Sequence, residues 1–370
     1  MLMKRITAAL VLTLMGVSAM AQSSADQAEY LEKSWKQVAT QMPDAWYASP
    51  QALHVADNVM LAQKEVGGWF KNKPYHHELS EAEKAELAEH KGDPGSTFDN
   101  GATIMEMRFL AKVYAAQKHE PLANAFAKGL DYIFLSQYEC GGWPQFYPVR
   151  TGKSVAYSGH ITYNDNSMVN ILKLLNDVAE ADDEMAHLPL SDEVRAQARE
   201  RFNRGIDCIL KTQIVVDGQP TVWCAQHDAE TFLPANARKY ELASFSGSES
   251  TGIVQLLMDI DHPSPAVVAA VDGAVKWFEA HKIEGIRLDK QKDEQGRKNL
   301  VVVSDPAAPA LWARFYDLET GKPFFCDRDG IKKNSLAEIG HERRNGYGWY
   351  TDTPAKVLKK YPEWRAKKVK

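Results

Sequence analysis

The chain has 370 residues, 44% of them hydrophobic, and a formal charge of −5. That acidic balance argues against a nucleic-acid binder, which carries a basic stripe, and beyond the leader no apolar run approaches membrane-spanning length. The roughly 350 residues after the leader suffice for one large core.

The leader comes first. Lys4 and Arg5 precede an apolar run from Ile6 to Val17, and Ala19-Met20-Ala21 fits a small-residue cleavage site. This predicts a Sec signal peptide over residues 1–21 and an exported mature region, 22–370, in the periplasm or the medium. Cys140, Cys208, Cys224 and Cys326 could pair in an oxidising compartment. They show no CxxC spacing, so their pairing stays open and no metal is assigned to them.

Along the mature region a helical segment recurs: "HVADNVMLAQKEVGGW", "KGLDYIFLSQYECGGW", "RGIDCILKTQIVVDGQPTVW" and, more weakly, "DGAVKWFEAHKIEG". Each has apolar residues at helical spacing, then Gln or His (Gln63, Gln137, Gln213, His281), and all but the last close on a turn with Gly and Trp. The period, about 70 residues, suits a helical hairpin with its loops. A second element alternates with it: "TFDNGATIMEMRFLAKVY", "TYNDNSMVNILKLLNDVA" and "SFSGSESTGIVQLLMDI". Its polar start reads as the N-terminus of an apolar helix whose free N–H groups need capping. Three such pairs predict a mainly α protein closing as an (α/α)3 toroid, an incomplete α/α barrel. Irregular insertions are expected at about residues 70–96 and 283–350, the latter with a polar hairpin or loop over Asp289–Asn299, followed by a basic, peripheral tail.

If the second helices all start at one end, Asp99, Asn100, Asn164, Asp165, Ser246 and Glu249 converge there, although each could instead be a helix cap. Asp99, Asn100 and Asp165 supply hard oxygen donors without imidazole or thiolate, which is the choice of Ca2+ rather than of a softer metal. The set is incomplete, and a substrate carboxylate could finish it. Arg238 and Lys239 in "ARKYE" precede the third apolar helix. Arg314 in "WARFY", Arg328 in "CDRDG", and Arg343 and Arg344 follow in an aromatic-rich region. Arginine grips carboxylates with paired hydrogen bonds, and the interleaved aromatic residues offer flat faces to sugar rings; ion pairs with Asp327, Asp329 or Glu342 are the competing reading of these arginines. Together these features point to a polymer of uronic acids.

The motifs "STFDNGAT", "GGWPQFYP", "ITYNDNSM", "TVWCAQHD", "ARKYELASFSGSES", "DPAAPALWARFYDLETGKPFFCDRDG" and "EIGHERRNGYGWY" resemble, in this order, the pectate lyases of polysaccharide lyase family 10. The resemblance runs from about Ala28 to Pro354. It implies an (α/α)3 toroid beside a less regular region with a cleft between them, and Ca2+-dependent β-elimination of polygalacturonate to 4,5-unsaturated oligogalacturonides. It further implies Asp99 and Asp165, with Asn100 beside them, at the Ca2+ site; Arg238 as the catalytic base; and Arg314 and Arg328 on substrate carboxylates, a set to which Lys239, Asn164 and Tyr240 are added. Cationic neighbours, Lys239 and Ca2+, are expected to lower the Arg238 pKa, with Lys239 as the rival base. A monomer is expected. The competing functions are a glycoside hydrolase using Asp228 and Asp165 as an acid/base pair, with Glu249 as another candidate, and a non-catalytic uronate-binding protein.

Overall fold

The structure is a computed structural model that describes residues 29–368; the leader expected over residues 1–21 lies outside the described residues. About half of the chain is helical and the strands are mostly two residues long. Two compact units divide it. One takes the chain up to Asp93, Ala102–Tyr132 and Ala181–Leu190; the other takes Pro94–Gly101, Ile133–Glu180 and everything from Ser191.

The first unit holds α1 (Trp35–Gln41), α2 (Asp44–Tyr47), α3 (Pro50–Ala62), α4 (Glu81–Glu89), α5 (Ile104–Gln117) and most of α6 (Glu120–Ser136). Ser34 starts α1 with a capping box closed by Gln37, and Ser49 caps α3 ahead of Pro50, whose missing N–H costs nothing in a first turn. The core gathers on Trp35, whose indole N–H donates to Glu106 Oε1 at 2.6 Å and whose ring meets Phe109 and Tyr75 edge-on. Burial pushes the Glu106 carboxyl up to about 7. The insertion expected to be irregular at residues 70–96 contains α4. No residue of α4 is buried, so its strong helix formers and the Ser80/Glu83 capping box hold it.

The second unit holds α7 (Ser167–Glu180), α8 (Asp192–Thr212), α9 (Glu249–Asp259), α10 (Pro265–Ala280), α11 (His341–Gly346) and α12 (Pro354–Lys368). Apolar side chains of α7 and α9 are buried around most of their circumference, as their Met, Ile, Leu and Val content predicts.

The sequence repeat has a physical meaning visible in both units. Gln63, Gln137 and Gln213 are buried just past a helix end, and each side-chain amide donates to two carbonyls. One lies in its own turn (Gly67, Gly141, Thr221) and one on the following long helix (Ala125, Arg201, Ala270), at 2.8–3.0 Å. The Trp that closes each turn returns its indole N–H to the last turn of the preceding helix: Trp69 to Val59, Trp143 to Ile133, Trp223 to Ile209. All three tryptophans are fully buried, so replacing one by Ala should cost about 3–5 kcal/mol. Gly67 and Gly141 sit at φ +105° and +91°, where a Cβ would lie 2.3 and 2.1 Å from the carbonyls of Lys128 and Arg204; no other residue fits there.

The fourth copy departs. His281 bonds the Trp277 carbonyl and stacks on the Trp277 ring, and the closing tryptophan is Trp312, donating to Phe278. Between them stands the expected polar hairpin, longer than predicted, with strands Ile286–Lys292 and Lys298–Ser304. The basic tail is not peripheral. It forms α12, which packs on α9 and α10 through buried Val357 and Trp364, while Tyr361 and Arg365 engage Asp272. Basic residues lie on the outward side of an amphipathic helix, which made the tail look merely solvated. All four cysteines are free thiols. Among the described residues no helix is long and apolar enough to cross a membrane.

Candidate active site

Every residue proposed for the site belongs to the second unit. Asp99 and Asn100 lie in a short 3-10 turn, Asp99–Gly101, and Asn164, Asp165 in the matching turn Asn164–Asn166. Asn100, Asp165 and Asn166 take left-handed φ values of 54°, 52° and 59°, which Asn and Asp tolerate best among residues with a Cβ. These polar runs therefore do not cap helices as expected; they make tight turns before them. Ser167 fastens the two turns together, donating to Phe98 O at 3.2 Å or to Asn164 O at 2.8 Å. Gly252 of α9 admits Asn166, since a Cβ there would approach Asn166 Oδ1 to 2.1 Å.

The third start behaves differently. Phe245–Ser246 pairs with Phe315–Tyr316, and Ser246 Oγ accepts from the amides of Ser248 and Glu249 at 3.2 and 3.1 Å, while the N-cap itself, Ser248, makes no side-chain cap bond. The buried Glu249 carboxylate is held by Ser246 and by Arg314. Arg314 also donates to Asn164 Oδ1 at 3.0 Å and lies 4.6 Å from the centre of the Tyr347 ring. Its Nε is buried without a hydrogen-bond partner.

Arg238 is half exposed and chelated by Glu241, with Nε–Oε2 at 2.7 Å and Nη2–Oε1 at 2.5 Å. Glu241 is buried and also accepts from the Tyr347 hydroxyl at 2.7 Å. Arg314 feels both Glu241 and Asp165, so a continuous polar chain runs from Arg238 through Glu241, Tyr347, Arg314 and Asn164 to the two acidic turns.

The charges explain the protonation states. The hydrogen bonds that Arg238 donates to Glu241 raise its pKa above the ordinary arginine value, against the partial opposition of burial. The protein's own groups thus raise this pKa, and the carboxylate in direct contact is the largest influence. Burial opposes ionisation of Glu241, but Arg238 and Tyr347 overcome it and its pKa is lowered. At Asp165 the surrounding protein raises the carboxyl pKa, Arg314 lowers it, and Asp99 and Glu249 raise it further; the Asn164 amide, at 2.6 Å, lowers it. Asp99 and Asp165 are thus close enough to repel, and both offer carboxylate oxygens. That donor set fits a hard divalent cation. Among the described residues no three His, Cys, Asp or Glu gather as a complete metal site, so such a cation would need further oxygens from a ligand.

Arg328 is exposed and forms a two-pronged pair with Glu342 at 3.0 and 3.1 Å, and Arg343 shares that carboxylate. Lys239 is exposed beside Arg238. Tyr240 is buried, with the guanidinium groups of Arg238, Arg343 and Arg328 at 4.9, 4.6 and 5.7 Å from its ring centre. The aromatic residues read as flat faces for sugar rings are instead a core: Tyr240, Phe315, Phe324, Phe325 and Trp349 are packed together and buried. They act as a platform under the arginines. Asp228 is taken up by its own turn, accepting from Glu230, Thr231 and the Thr231 hydroxyl.

The sequence profile of the pectic acid lyase family matches residues 63–358. This chain belongs to the pectic acid lyase family. Two solved structures agree. The family 10 polysaccharide lyase from Cellvibrio cellulosa is 34% identical, covering 89% of this chain and 94% of that one with a TM-score of 0.74. An aspartate-to-alanine mutant of a family 10 polysaccharide lyase from the same organism, in complex with trigalacturonic acid, is 33% identical over 89% and 95%, with a TM-score of 0.75. No curated protein matches. The chain is therefore a polysaccharide lyase of the pectate lyase class. For this family 10 lyase, sequence reasoning missed Glu241 and Tyr347, which tie Arg238 to Arg314. Glu241 could have been found three residues after Arg238 in "ARKYE"; Tyr347 left no local signal.

Proposed function

We propose that this lyase cleaves α-1,4-linked polygalacturonate by Ca2+-dependent β-elimination, giving 4,5-unsaturated oligogalacturonides, on an (α/α)3 toroid supported by the Gln–Trp repeat. The observation that carries the reading is the juxtaposition of two acidic turns, whose carboxylates repel each other, with a chain of arginines. The trigalacturonic acid bound by the Cellvibrio relative supports the substrate class. Asp99, Asn100 and Asp165 would hold the cation. When bound beside a substrate carboxylate, Ca2+ would withdraw charge and acidify the adjacent C5–H.

The chain's own residues do the rest. Arg314, paired with Glu249 and lying beside Asn164, would orient a uronate carboxylate; Arg328 would take a neighbouring one at the rim, with Lys239 and Asn164 as further contacts and Tyr240 acting through the arginines stacked on it. Arg238 would accept the C5 proton as the C4–O4 bond breaks, C4 and C5 become doubly bonded, and the leaving oxygen takes a proton from water. Glu241 makes the neutral guanidine rare but strongly basic, and fixes its direction. Activity should therefore climb with pH. The hydrolase reading needs a carboxyl kept protonated, whereas hydrogen bonds to Thr231 lower the Asp228 pKa.

The test is product analysis after incubation with polygalacturonate at alkaline pH. Ultraviolet-absorbing oligomers one water lighter than the hydrolysis products support elimination. Growing reducing ends without that absorbance would point to hydrolysis, and binding with neither to a carbohydrate-binding protein.

A further inference from the structure

Cys140 and Cys208 stand apart from the mechanism and from each other in sequence, yet the turn that bears Cys140 packs directly against Cys208, whose Sγ a Cβ on Gly142 would approach to 3.1 Å. The contact rests on a fixed frame. The turn bearing Cys140 is anchored to α8 on both sides: Gln137 donates to Arg201 O at 3.0 Å, and Arg204 donates at 3.1 Å to the carbonyls of Tyr138 or Glu139. Gly141 lies so close to Arg204 O that a Cβ would be 2.1 Å from it. Backbone and thiol therefore face each other across a short, well-held gap. The other cysteines are occupied elsewhere, Cys224 against Ala235 O and Cys326 against Asp327 O.

We propose that Cys140 and Cys208 form a disulfide when the protein meets a small-molecule disulfide such as glutathione disulfide. The two thiols differ in the way such chemistry needs. Cys140 is only partly buried and its pKa is lowered to about 6, chiefly by the hydrogen bond from Cys208, so it is the thiolate that attacks. One glutathione sulfur joins Cys140 and the other leaves as thiolate. Cys208, whose pKa is raised by that same hydrogen bond and by burial, no longer faces a negative neighbour at this stage. It loses its proton to the departing thiolate, and its sulfur displaces the glutathione held on Cys140. Two protein thiols and one disulfide become one protein disulfide and two glutathione thiols, so atoms and electrons balance.

The bond would staple the second Trp turn to the last turn of α8, where Tyr163 meets Thr212 at 2.6 Å. Tyr163 immediately precedes Asn164 and Asp165, so the staple would stiffen the base of one acidic turn. Closing a loop of about 70 residues should raise the melting temperature by roughly 5 °C or more.

The test uses the full chain, reduced and then exposed to glutathione disulfide. The expected result is loss of two of the four thiols on denaturation, a mass lower by two hydrogens without a glutathione adduct, a Cys140–Cys208 peptide cross-link and a higher melting temperature. Cys140→Ser should keep its remaining thiols and show no such rise. Four persistent thiols, a stable glutathione adduct on Cys140, or a cross-link to Cys224 or Cys326 would overturn the proposal. None of these readouts depends on lyase activity.

Discussion

The acidic turns and the arginine chain, the two halves of the proposed site, are held in opposite ways. Asp99 and Asp165 sit in turns fastened by Ser167, where burial and then repulsion raise the Asp165 pKa and Arg314 opposes them. Each arginine has a carboxylate partner: Arg238 has Glu241, Arg314 has Glu249 and Arg328 has Glu342. In the acidic half two carboxylates repel each other, with Arg314 as a partial counterweight at Asp165, so a cation would be favoured there. The basic half is balanced, so its gain comes from orientation. An acidic protein needs both to receive an acidic polymer, since the field must be reversed locally.

Experiments can break either half. The largest effect is expected for Arg238→Ala, which removes the proposed base: kcat should fall by about 10²–10⁴-fold with little change in KM, whereas a loss confined to KM would recast Arg238 as a binding residue. Asp165→Asn should lower activity by about 10²-fold, with part of the loss recovered at high Ca2+; calcium titrations of the variant's activity check this. Arg314→Ala leaves Glu249 buried and unpaired, so besides weakening substrate binding it should destabilise the fold by about 3 kcal/mol in denaturant melts. Glu241→Gln removes the charge that raises the Arg238 pKa, so the alkaline rise in kcat should move to lower pH. An unmoved profile would mean that Arg238 is not the titrating base. The smallest effect belongs to Arg328→Ala, an exposed residue: a several-fold rise in KM, with kcat and melting temperature unchanged.

How far these halves could be read from sequence follows from the range of the interactions. The Gln–Trp turns repeat a local chemistry, so Gln63, Gln137 and Gln213 made the recurring helix-and-turn unit legible in the sequence. His281 broke the pattern because an inserted hairpin carries Trp312 away from it. Asp99 and Asp165 were singled out by residue type, but their conformation was misread, because Asn and Asp serve left-handed turns as readily as helix caps. The pull of Glu241 on Arg238 was overlooked because Lys239 beside it in sequence drew attention from a carboxylate three residues away across a turn. The bond from Arg314 to Asn164 joins residues 150 positions apart, and no pattern in the sequence foretells it. The aromatic platform looked like a sugar-binding surface since hydrophobic faces and cores share a composition; only packing distinguishes them.

The central claim is that the two acidic turns complete a Ca2+ site with the substrate. Its most direct test is the ultraviolet absorbance of polygalacturonate incubated with the wild-type protein in Ca2+ or in EDTA, at alkaline pH. The account predicts a steady rise with Ca2+ and none with EDTA, restored when Ca2+ is returned. An equal rise in EDTA would contradict it.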